Sequence, residues 1–224
     1  MTKGFFITGT DTNIGKTIFS VQLIHALREQ GLNVAAMKPV ATGASYRNGE
    51  LQNDDALALI KACDRDLPYE LVNPYVFEPA VAPHIAATEM QTRISLKYIK
   101  QAYKTLAEQS DVVIVEGVGG WQVPLNDTKT IADLAIKLKL PVVLVVGLRL
   151  GCINHALLTA QAITQQSDLL LGWVANFVEP EMSRQQENLQ ALLSRMPVPC
   201  LANLPFVDAD QKNIKIDLDA FNAA

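Results

Sequence analysis

Short apolar runs alternate along the chain with longer stretches in which apolar residues recur every three or four positions. The runs cover residues 5–8, 34–37, 111–116, 142–146, 169–175 and 198–204. The stretches with helical spacing cover residues 18–30, 55–60, 95–109, 130–138, 154–165 and 183–196. A near-continuous apolar run is typical of a parallel strand covered on both faces, and the spacing of three or four indicates an amphipathic helix. The pattern therefore predicts an α/β fold with a mostly parallel central sheet and helices on both faces.

Three segments interrupt this alternation. Residues 46–54 are polar and predict a loop, and residues 73–84 combine proline with aromatic residues, which predicts an irregular segment packed beside the site. His84, at the end of that segment, is interpreted as a helix-start or packing residue rather than a catalytic one. From residue 213 onward the sequence shows no strong pattern. Because there are no repeats and no low-complexity linker, residues 1–224 are expected to form a single domain.

Composition and charge narrow the class of partner. The 224 residues are 49% hydrophobic and 19% charged, which is typical of a globular protein, and the formal net charge is −4. This balance offers no basic stripe for nucleic acid and no polybasic patch for a membrane, so a small-molecule partner is expected. Three widely separated cysteines favour a reducing compartment. The longest apolar run, residues 140–148, is too short to cross a bilayer, and a cytoplasmic location is predicted.

A glycine-rich segment, GTDTNIGKT at residues 9–17, links the first predicted strand to the first predicted helix. Its glycines allow the backbone to bring N–H groups close to an anion, and the following helix turns its positive dipole end to the same point. Lys16 could reach the outer phosphates of a nucleotide, and Thr17 could ligate Mg²⁺. This context predicts a P-loop NTPase-like site. Five residues rather than the usual four separate the two glycines, so either Thr10 takes the first-glycine position or the loop is a longer variant.

Polar residues follow several predicted strands. Lys38 comes directly after residues 34–37, Glu116 ends a buried strand, and Asn176 follows residues 169–175. The carboxyl ends of parallel strands form the ligand crevice of a doubly wound sheet. Glu116 could hold Mg²⁺, and Asn176 could hydrogen-bond to a purine. A solvated loop residue at 38 and a turn-capping acid at 116 remain alternatives.

Two further positions offer chemistry without a decisive pattern. Asp54 and Asp55 begin a predicted helix, where acids usually cap the first turn, although one of them could instead bind Mg²⁺. The spacing does not separate these interpretations. Residues 149–155 form a strand-to-helix turn that could bind a second anion, a property common to such turns.

Taken together, these segments resemble the dethiobiotin synthetase family over residues 9–207. The segments that carry the resemblance are TGTDT and GKT (residues 8–12 and 15–17), KPVA (38–41), DALAL (55–59), NPY (73–75), PH (83–84), VEG (115–117), GGW (119–121), LGCINHA (150–156) and GWVAN (172–176). The resemblance implies an ATP-dependent carboxylase and ring-closing ligase of biotin synthesis. Its substrates would be diaminopelargonic acid, CO₂ and ATP with Mg²⁺, and it would act as a homodimer.

The resemblance also implies residue roles. Lys38 would contact the carbamate and phosphoryl oxygens, and the expected catalytic residues are Lys38, Lys16 and Thr12. The expected Mg²⁺ ligands are Thr17, Asp55 and Glu116. The expected nucleotide-binding residues are Asn13, Ile14, Gly15, Lys16, Thr17, Ile18, Asp55, Glu116, Gly117, Val118, Gly119, Asn176, Phe177, Pro205, Phe206 and Val207. The expected substrate residues are Thr42, Lys38 and, across the homodimer interface, Gly151, Cys152, Ile153 and Asn154.

Two other functions are compatible with a long phosphate loop. A partitioning or switch-type ATPase that acts through a protein partner shares such a loop and dimerises across its nucleotides. A membrane- or DNA-bound protein of that kind would need a basic or amphipathic appendage, which this sequence lacks. A related ligase could instead use a different diamine, in which case residues 149–154 would have to admit a different acid tail.

Overall fold

The computed structural model describes residues 3–206 and 215–223. Its strands are β1 (Lys3–Gly9), β2 (Val34–Met37), β3 (Val40–Ala41), β4 (Ser45–Arg47), β5 (Glu50–Gln52), β6 (Tyr75–Val76), β7 (Val112–Glu116), β8 (Val142–Leu148), β9 (Leu170–Phe177) and β10 (Cys200–Leu204). Its helices are α1 (Lys16–Glu29), α2 (Asp54–Cys63), α3 (Tyr69–Val72), α4 (Pro83–Glu89), α5 (Leu96–Glu108), α6 (Ile131–Leu138), α7 (Cys152–Gln166), α8 (Gln185–Leu193) and α9 (Asp219–Ala223).

Six strands form the central sheet in the spatial order β10-β9-β8-β1-β7-β2, and all of its neighbouring pairs are parallel. Every residue of β7 and β8 is buried, because helices cover both faces of the sheet. The α/β prediction is therefore confirmed. Strand β1 lies between β7 and β8, where the chain order reverses, and this is the position at which ligands bind in open α/β sheets.

The predicted helices cover the sheet with the faces that their apolar spacing indicates. Helix α1 buries Phe19, Leu23 and Leu27, which recur every four residues on one side of the helix. Helix α5 begins after Ser95, whose side chain accepts a hydrogen bond from the Tyr98 backbone N–H. In the described part of the chain, no helix is long and apolar enough to cross a membrane.

The predicted loop at residues 46–54 is wrong for most of its length. Strands β4 and β5 form an antiparallel hairpin there, and the turn residues Asn48 and Gly49 both have positive φ. An Asn-Gly pair suits this turn because both residues tolerate the left-handed region. The two strands are only three residues long and largely exposed, so they carry no alternating apolar pattern that could have predicted them.

Two other segments are more regular than predicted. Within residues 73–84, β6 pairs in parallel with β3, and α4 begins at Pro83. His84 is therefore a helix-start residue, as the sequence indicated. Near the carboxyl end, α9 places Phe221 edge-on against Phe5, with ring centroids 4.9 Å apart. The buried Phe221 ring anchors this helix to β1.

Candidate functional site

The phosphate loop connects β1 to α1 through residues 10–15. Gly15 precedes the helix with φ of +85°, and no side chain of the described residues caps it, so the first N–H groups of α1 remain for a ligand. A Cβ on Gly9 would lie 2.6 Å from Cδ1 of Ile14, and a Cβ on Gly15 would lie 2.1 Å from Nδ2 of Asn176. Gly15 is therefore favoured by its left-handed backbone conformation, and a side chain at either position would displace the neighbouring Ile14 or Asn176 side chain.

A cavity of about 350 Å³ opens beside this loop. It brings together residues from the loop, from the ends of β2 and β7, and from the start of α2. Its lining residues are Thr12, Asn13, Ile14, Gly15, Lys16, Thr17, Ile18, Lys38, Thr42, Asn53, Asp55, Glu116, Val118 and Gly119. All of these except Asn53 were predicted from the sequence, so the fold assembles the expected catalytic residues and Mg²⁺ ligands in one place.

Three charged side chains form a cluster at the floor of this cavity. The Lys38 ammonium, which is 3% exposed, donates to Asp55 Oδ2 at 2.7 Å and to Glu116 Oε1 at 2.5 Å. Burial disfavours the Lys38 charge, but the carboxylates of Glu116 and Asp55 outweigh burial and raise the pKa of Lys38. Burial also opposes the Asp55 charge, yet Lys38 lowers the pKa of Asp55. Lys38 and Asp55 therefore form an ion pair at neutral pH.

Glu116 is fully buried and only partly hydrogen-bonded. Its Oε1 accepts from Lys38 and from the Thr17 hydroxyl, the latter at 2.9 Å. Its Oε2 has no hydrogen-bond partner among the residues that the structure describes. Buried carboxylate oxygens are normally paired, so Oε2 of this cavity-lining residue keeps the capacity to accept from a ligand donor or to bind a cation.

Lys16 provides a second cation beside Lys38. Its ammonium donates to the Asp11 carbonyl at 2.7 Å, and Asp11 in turn forms an ion pair with Arg149 at the end of β8. Burial, followed by the positive charge of Lys38, lowers the pKa of Lys16 to about 8. A bound phosphate would counter both effects, so the geometry favours an anion at this position.

The structure separates Asp54 from Asp55, which the sequence left as alternatives. Helix α2 is capped by Asn53, whose side-chain oxygen accepts from the backbone N–H groups of Asp55 and Ala56. The prediction that the acids themselves cap the helix is therefore wrong. Asp54 forms an exposed ion pair with Arg47 on the hairpin, whereas Asp55 faces Lys38. Consecutive helical residues point about 100° apart, which sends the two carboxylates to different neighbours.

The remaining predicted residues lie outside the cavity lining. Asn176 is buried, and its Nδ2 donates to the Ile14 carbonyl at 2.7 Å, so this side chain supports the phosphate loop. Residues 151–154 lie at the start of α7, where Gly151 has φ of +95°. Gly117, Phe177, Pro205 and Phe206 follow or end strands at the same edge of the sheet, and Val207 lies outside the described residues. Their roles in binding remain predictions.

Sequence reasoning missed three polar residues at or next to the cavity, of which Asn53 lines it. Asn73 is 2% exposed and donates to the Lys38 carbonyl at 2.7 Å. Tyr69 and Asn53 connect it to the start of α2. Asn73 belongs to a segment that carries the family resemblance, but no local pattern indicated its contact with a residue 35 positions away.

Comparison with known proteins places this site in a family. A sequence profile described as an AAA domain matches residues 3–212. The ATP-dependent dethiobiotin synthetase BioD of Pseudomonas paraeruginosa is 51% identical over 217 residues, which cover 96% of this chain and 95% of that protein. The protein of the same name from Xylella fastidiosa strain 9a5c is 49% identical and covers 92% of this chain and 91% of its own. The chain belongs to the ATP-dependent dethiobiotin synthetase family. The family resemblance predicted from the sequence motifs is thereby confirmed.

Solved structures support the fold more broadly. The ParA family ATPase from Chlorobium tepidum superposes with a TM-score of 0.58 at 14% sequence identity, covering 92% of this chain and 84% of that one. At this identity the likeness shows a shared P-loop fold only. The partitioning-ATPase alternative is therefore not favoured over the synthetase family, whose members match at about half of all positions.

Proposed function

We propose that this protein catalyses the ATP-dependent closure of the ureido ring of dethiobiotin from 7,8-diaminopelargonic acid and CO₂. One amine adds to CO₂ and loses a proton to give a carbamate, and the γ-phosphoryl group of ATP transfers to a carbamate oxygen, which releases ADP. The second amine then attacks the carbamoyl carbon, expels inorganic phosphate and loses a proton. The observation that carries the proposal is the buried Lys38 beside a phosphate loop, in a chain of this family.

The two lysines and the loop supply electrostatic stabilisation. Lys16 extends from the start of α1, and Lys38 enters the cavity from the end of β2, so both ammonium groups face the space in which phosphoryl transfer would occur. Developing negative charge on the transferring group is stabilised best by cations that are already in place. Thr12 lines the same space, and its backbone N–H is held by the Asp11 side chain at 2.7 Å. Thr12 would contribute its hydroxyl to the reacting oxygens.

The residues at the cavity floor fit a Mg²⁺ site. Thr17, Asp55 and Glu116 provide a hydroxyl and two carboxylates, the hard oxygen ligands that Mg²⁺ prefers, and Glu116 Oε2 has no hydrogen-bond partner among the described residues. Across residues 3–206 and 215–223 there is no group of three or more His, Cys, Asp or Glu that would hold a metal by itself. Nucleotide phosphates and water would complete the coordination. When bound, Mg²⁺ neutralises phosphate charge, while Lys38 would move its hydrogen bonds from the carboxylates to the substrate.

The other binding roles follow from family membership and belong to this proposal. Gly117, Val118 and Gly119 would lie along the nucleotide, while Asn176, Phe177 and residues 205–207 would hold adenine. Thr42 would bind the diamine near Lys38, and residues 151–154 of a second copy would bind its carboxylate. The active protein would thus be a cytoplasmic homodimer built from one domain per chain, acting on small molecules.

The test is ADP release by the purified protein with ATP, Mg²⁺ and bicarbonate, with and without the diamine, with mass spectrometry of the organic product. We expect ADP and the cyclic urea only when the diamine is present. Lys38→Ala should lower kcat by at least about 100-fold while ATP binding stays measurable, because the lysine contacts the reacting group. Lys104→Ala, on the exposed face of α5, is the control. Slow ADP release at the same rate with and without the diamine, and without a cyclic product, would refute the proposal.

A further inference from the structure

A chain of hydrogen bonds behind the cavity connects the backbone of Lys38 to the start of α2. Asn73 Nδ2 donates to the Lys38 carbonyl at 2.7 Å, and Asn73 Oδ1 accepts from the Tyr69 hydroxyl at 2.9 Å. The Tyr69 hydroxyl accepts from the Asn53 backbone N–H at 2.8 Å. The Asn53 side-chain oxygen then accepts from the Asp55 backbone N–H at 3.1 Å. We call the three side chains of Asn53, Tyr69 and Asn73 the polar relay.

Two of the three side chains of the polar relay are buried, and its hydrogen bonds are shared between several elements. Asn73 and Asn53 are 2% and 7% exposed, and Tyr69 is half-buried. Asn73 Nδ2 also donates to the Tyr75 carbonyl at 3.1 Å, and the Tyr69 carbonyl accepts from the Asn73 backbone N–H at 2.7 Å. A buried polar group that loses its partner is costly, so a shift of any one element would break bonds in the others. The relay therefore resists relative movement of β2, α3 and α2.

The two residues whose backbones the polar relay holds, Lys38 and Asp55, contact each other inside the cavity through their side chains. One end holds the backbone of Lys38 and the other holds the backbone of Asp55, and the side chains of these two residues form the 2.7 Å ion pair. Asn53 Nδ2 also donates to the Thr42 carbonyl at 3.4 Å, which ties in a third cavity residue. The contacts thus form a closed ring that includes the Lys38–Asp55 ion pair, and Tyr69 is the member of this ring bonded to both Asn53 and Asn73.

We propose that Tyr69 is a positioning residue, which holds the cationic Lys38 and the Mg²⁺ ligand Asp55 at a fixed separation through the polar relay. This inference rests on the proposed function, since that function assigns the two groups their roles. Phosphoryl transfer depends on placing these charges accurately, and displacements on the order of 1 Å can lower a rate about 100-fold. Tyr69 touches no reacting atom, so its effect would be exerted through Asn53 and Asn73.

The experiment compares Tyr69→Phe with Tyr98→Phe, a matched loss of one hydroxyl from an exposed tyrosine on α5. Removing the Tyr69 hydroxyl leaves the Asn53 N–H and Asn73 Oδ1 unpaired without changing the ring. We expect Tyr69→Phe to lower kcat roughly tenfold while KM for ATP changes less than about twofold, because the loss is felt mainly in the reacting complex. Calorimetry with a nonhydrolysable ATP analogue should show Mg²⁺ binding weakened by roughly threefold or more, since Asp55 is less firmly placed. Tyr98→Phe should leave both quantities unchanged.

The outcomes separate a positioning role from a purely structural one. If Tyr69→Phe lowers the melting temperature but leaves kcat and Mg²⁺ affinity as in the wild type, the hydroxyl only stabilises the fold and the inference is overturned. If the wild type binds the Mg²⁺-nucleotide analogue but forms no cyclic urea, the proposed function fails. In that case the calorimetric comparison of the two variants still decides whether the polar relay positions Asp55.

Discussion

Lys38 is the cation on which the buried carboxylate of Glu116 depends, and this dependence can be measured in the protein without ligands. Lys38→Met keeps most of the side-chain volume and removes the charge. Glu116 would then remain fully buried; among the described residues one of its oxygens already has no partner, and the other would keep only the Thr17 hydroxyl. Removing one partner of a buried ion pair typically costs about 3–5 kcal/mol in free energy of unfolding. We expect a loss in this range.

The reciprocal change helps to isolate the pair. Glu116→Gln removes the buried anion and leaves Lys38 with Asp55, whose side chain is 42% exposed and so screened by water. The double variant leaves neither charge, and buried pairs replaced together by neutral groups are often close to neutral in stability. The sum of the two single losses should therefore exceed the double loss, with a coupling energy of about 3 kcal/mol or more.

The assay is urea unfolding of the four proteins in EDTA without nucleotide, followed by the fluorescence of Trp121 and Trp173, which are both buried. The control cycle uses Lys104→Met and Glu108→Gln, two exposed residues four positions apart on α5. Their coupling should stay below about 0.5 kcal/mol. Additivity of Lys38→Met and Glu116→Gln within the same limit would show that the two groups do not depend on each other and would refute the reasoning.

Two further predictions concern proton and metal binding. The folded-state pKa of Lys16, about 8, lies below its unfolded value of 10.5, so between these pH values the unfolded chain binds more protons than the folded one. The contribution of Lys16 to the stability of the ligand-free protein therefore increases as pH rises through this window. A bound phosphate should reprotonate Lys16, so ADP binding at pH 8 should take up roughly half a proton more in the wild type than in Lys16→Gln. Calorimetry in buffers of different ionisation enthalpy measures this proton uptake. Equal uptake by the two proteins would contradict the assignment. Asp55→Asn should raise the Mg²⁺ concentration needed for half-maximal ADP formation about tenfold, since it removes a charged ligand, whereas Asp54→Asn should leave it unchanged. Equal Mg²⁺ titrations for the two variants would remove Asp55 from the metal site.

Local patterns in the sequence were enough to predict the class of fold and the location of the site. The apolar runs and helical spacings are properties of short segments, and they predicted the six strands of the central sheet. The segment at residues 9–17 is contiguous, so its glycines, Lys16 and Thr17 indicate a phosphate loop by their order and spacing. Lys38 and Glu116 were expected at one edge because parallel strands end together, and β2 does pair with β7 so that Met37 lies beside Val115.

The meeting of particular polar groups depended instead on tertiary packing. The fold placed Asp55 rather than Asp54 against Lys38, assigned the helix cap to Asn53, and joined Tyr69 and Asn73 into a relay behind the cavity. The bond of Lys38 to Asp55 spans 17 positions of the chain, and the bond of Thr17 to Glu116 spans 99. Such contacts depend on strand register, on the rotation of each helix and on which buried groups lack water. Local sequence patterns indicate which face of a helix or strand is buried, but not which polar side chains of distant segments meet there, because those contacts form only when the elements pack together.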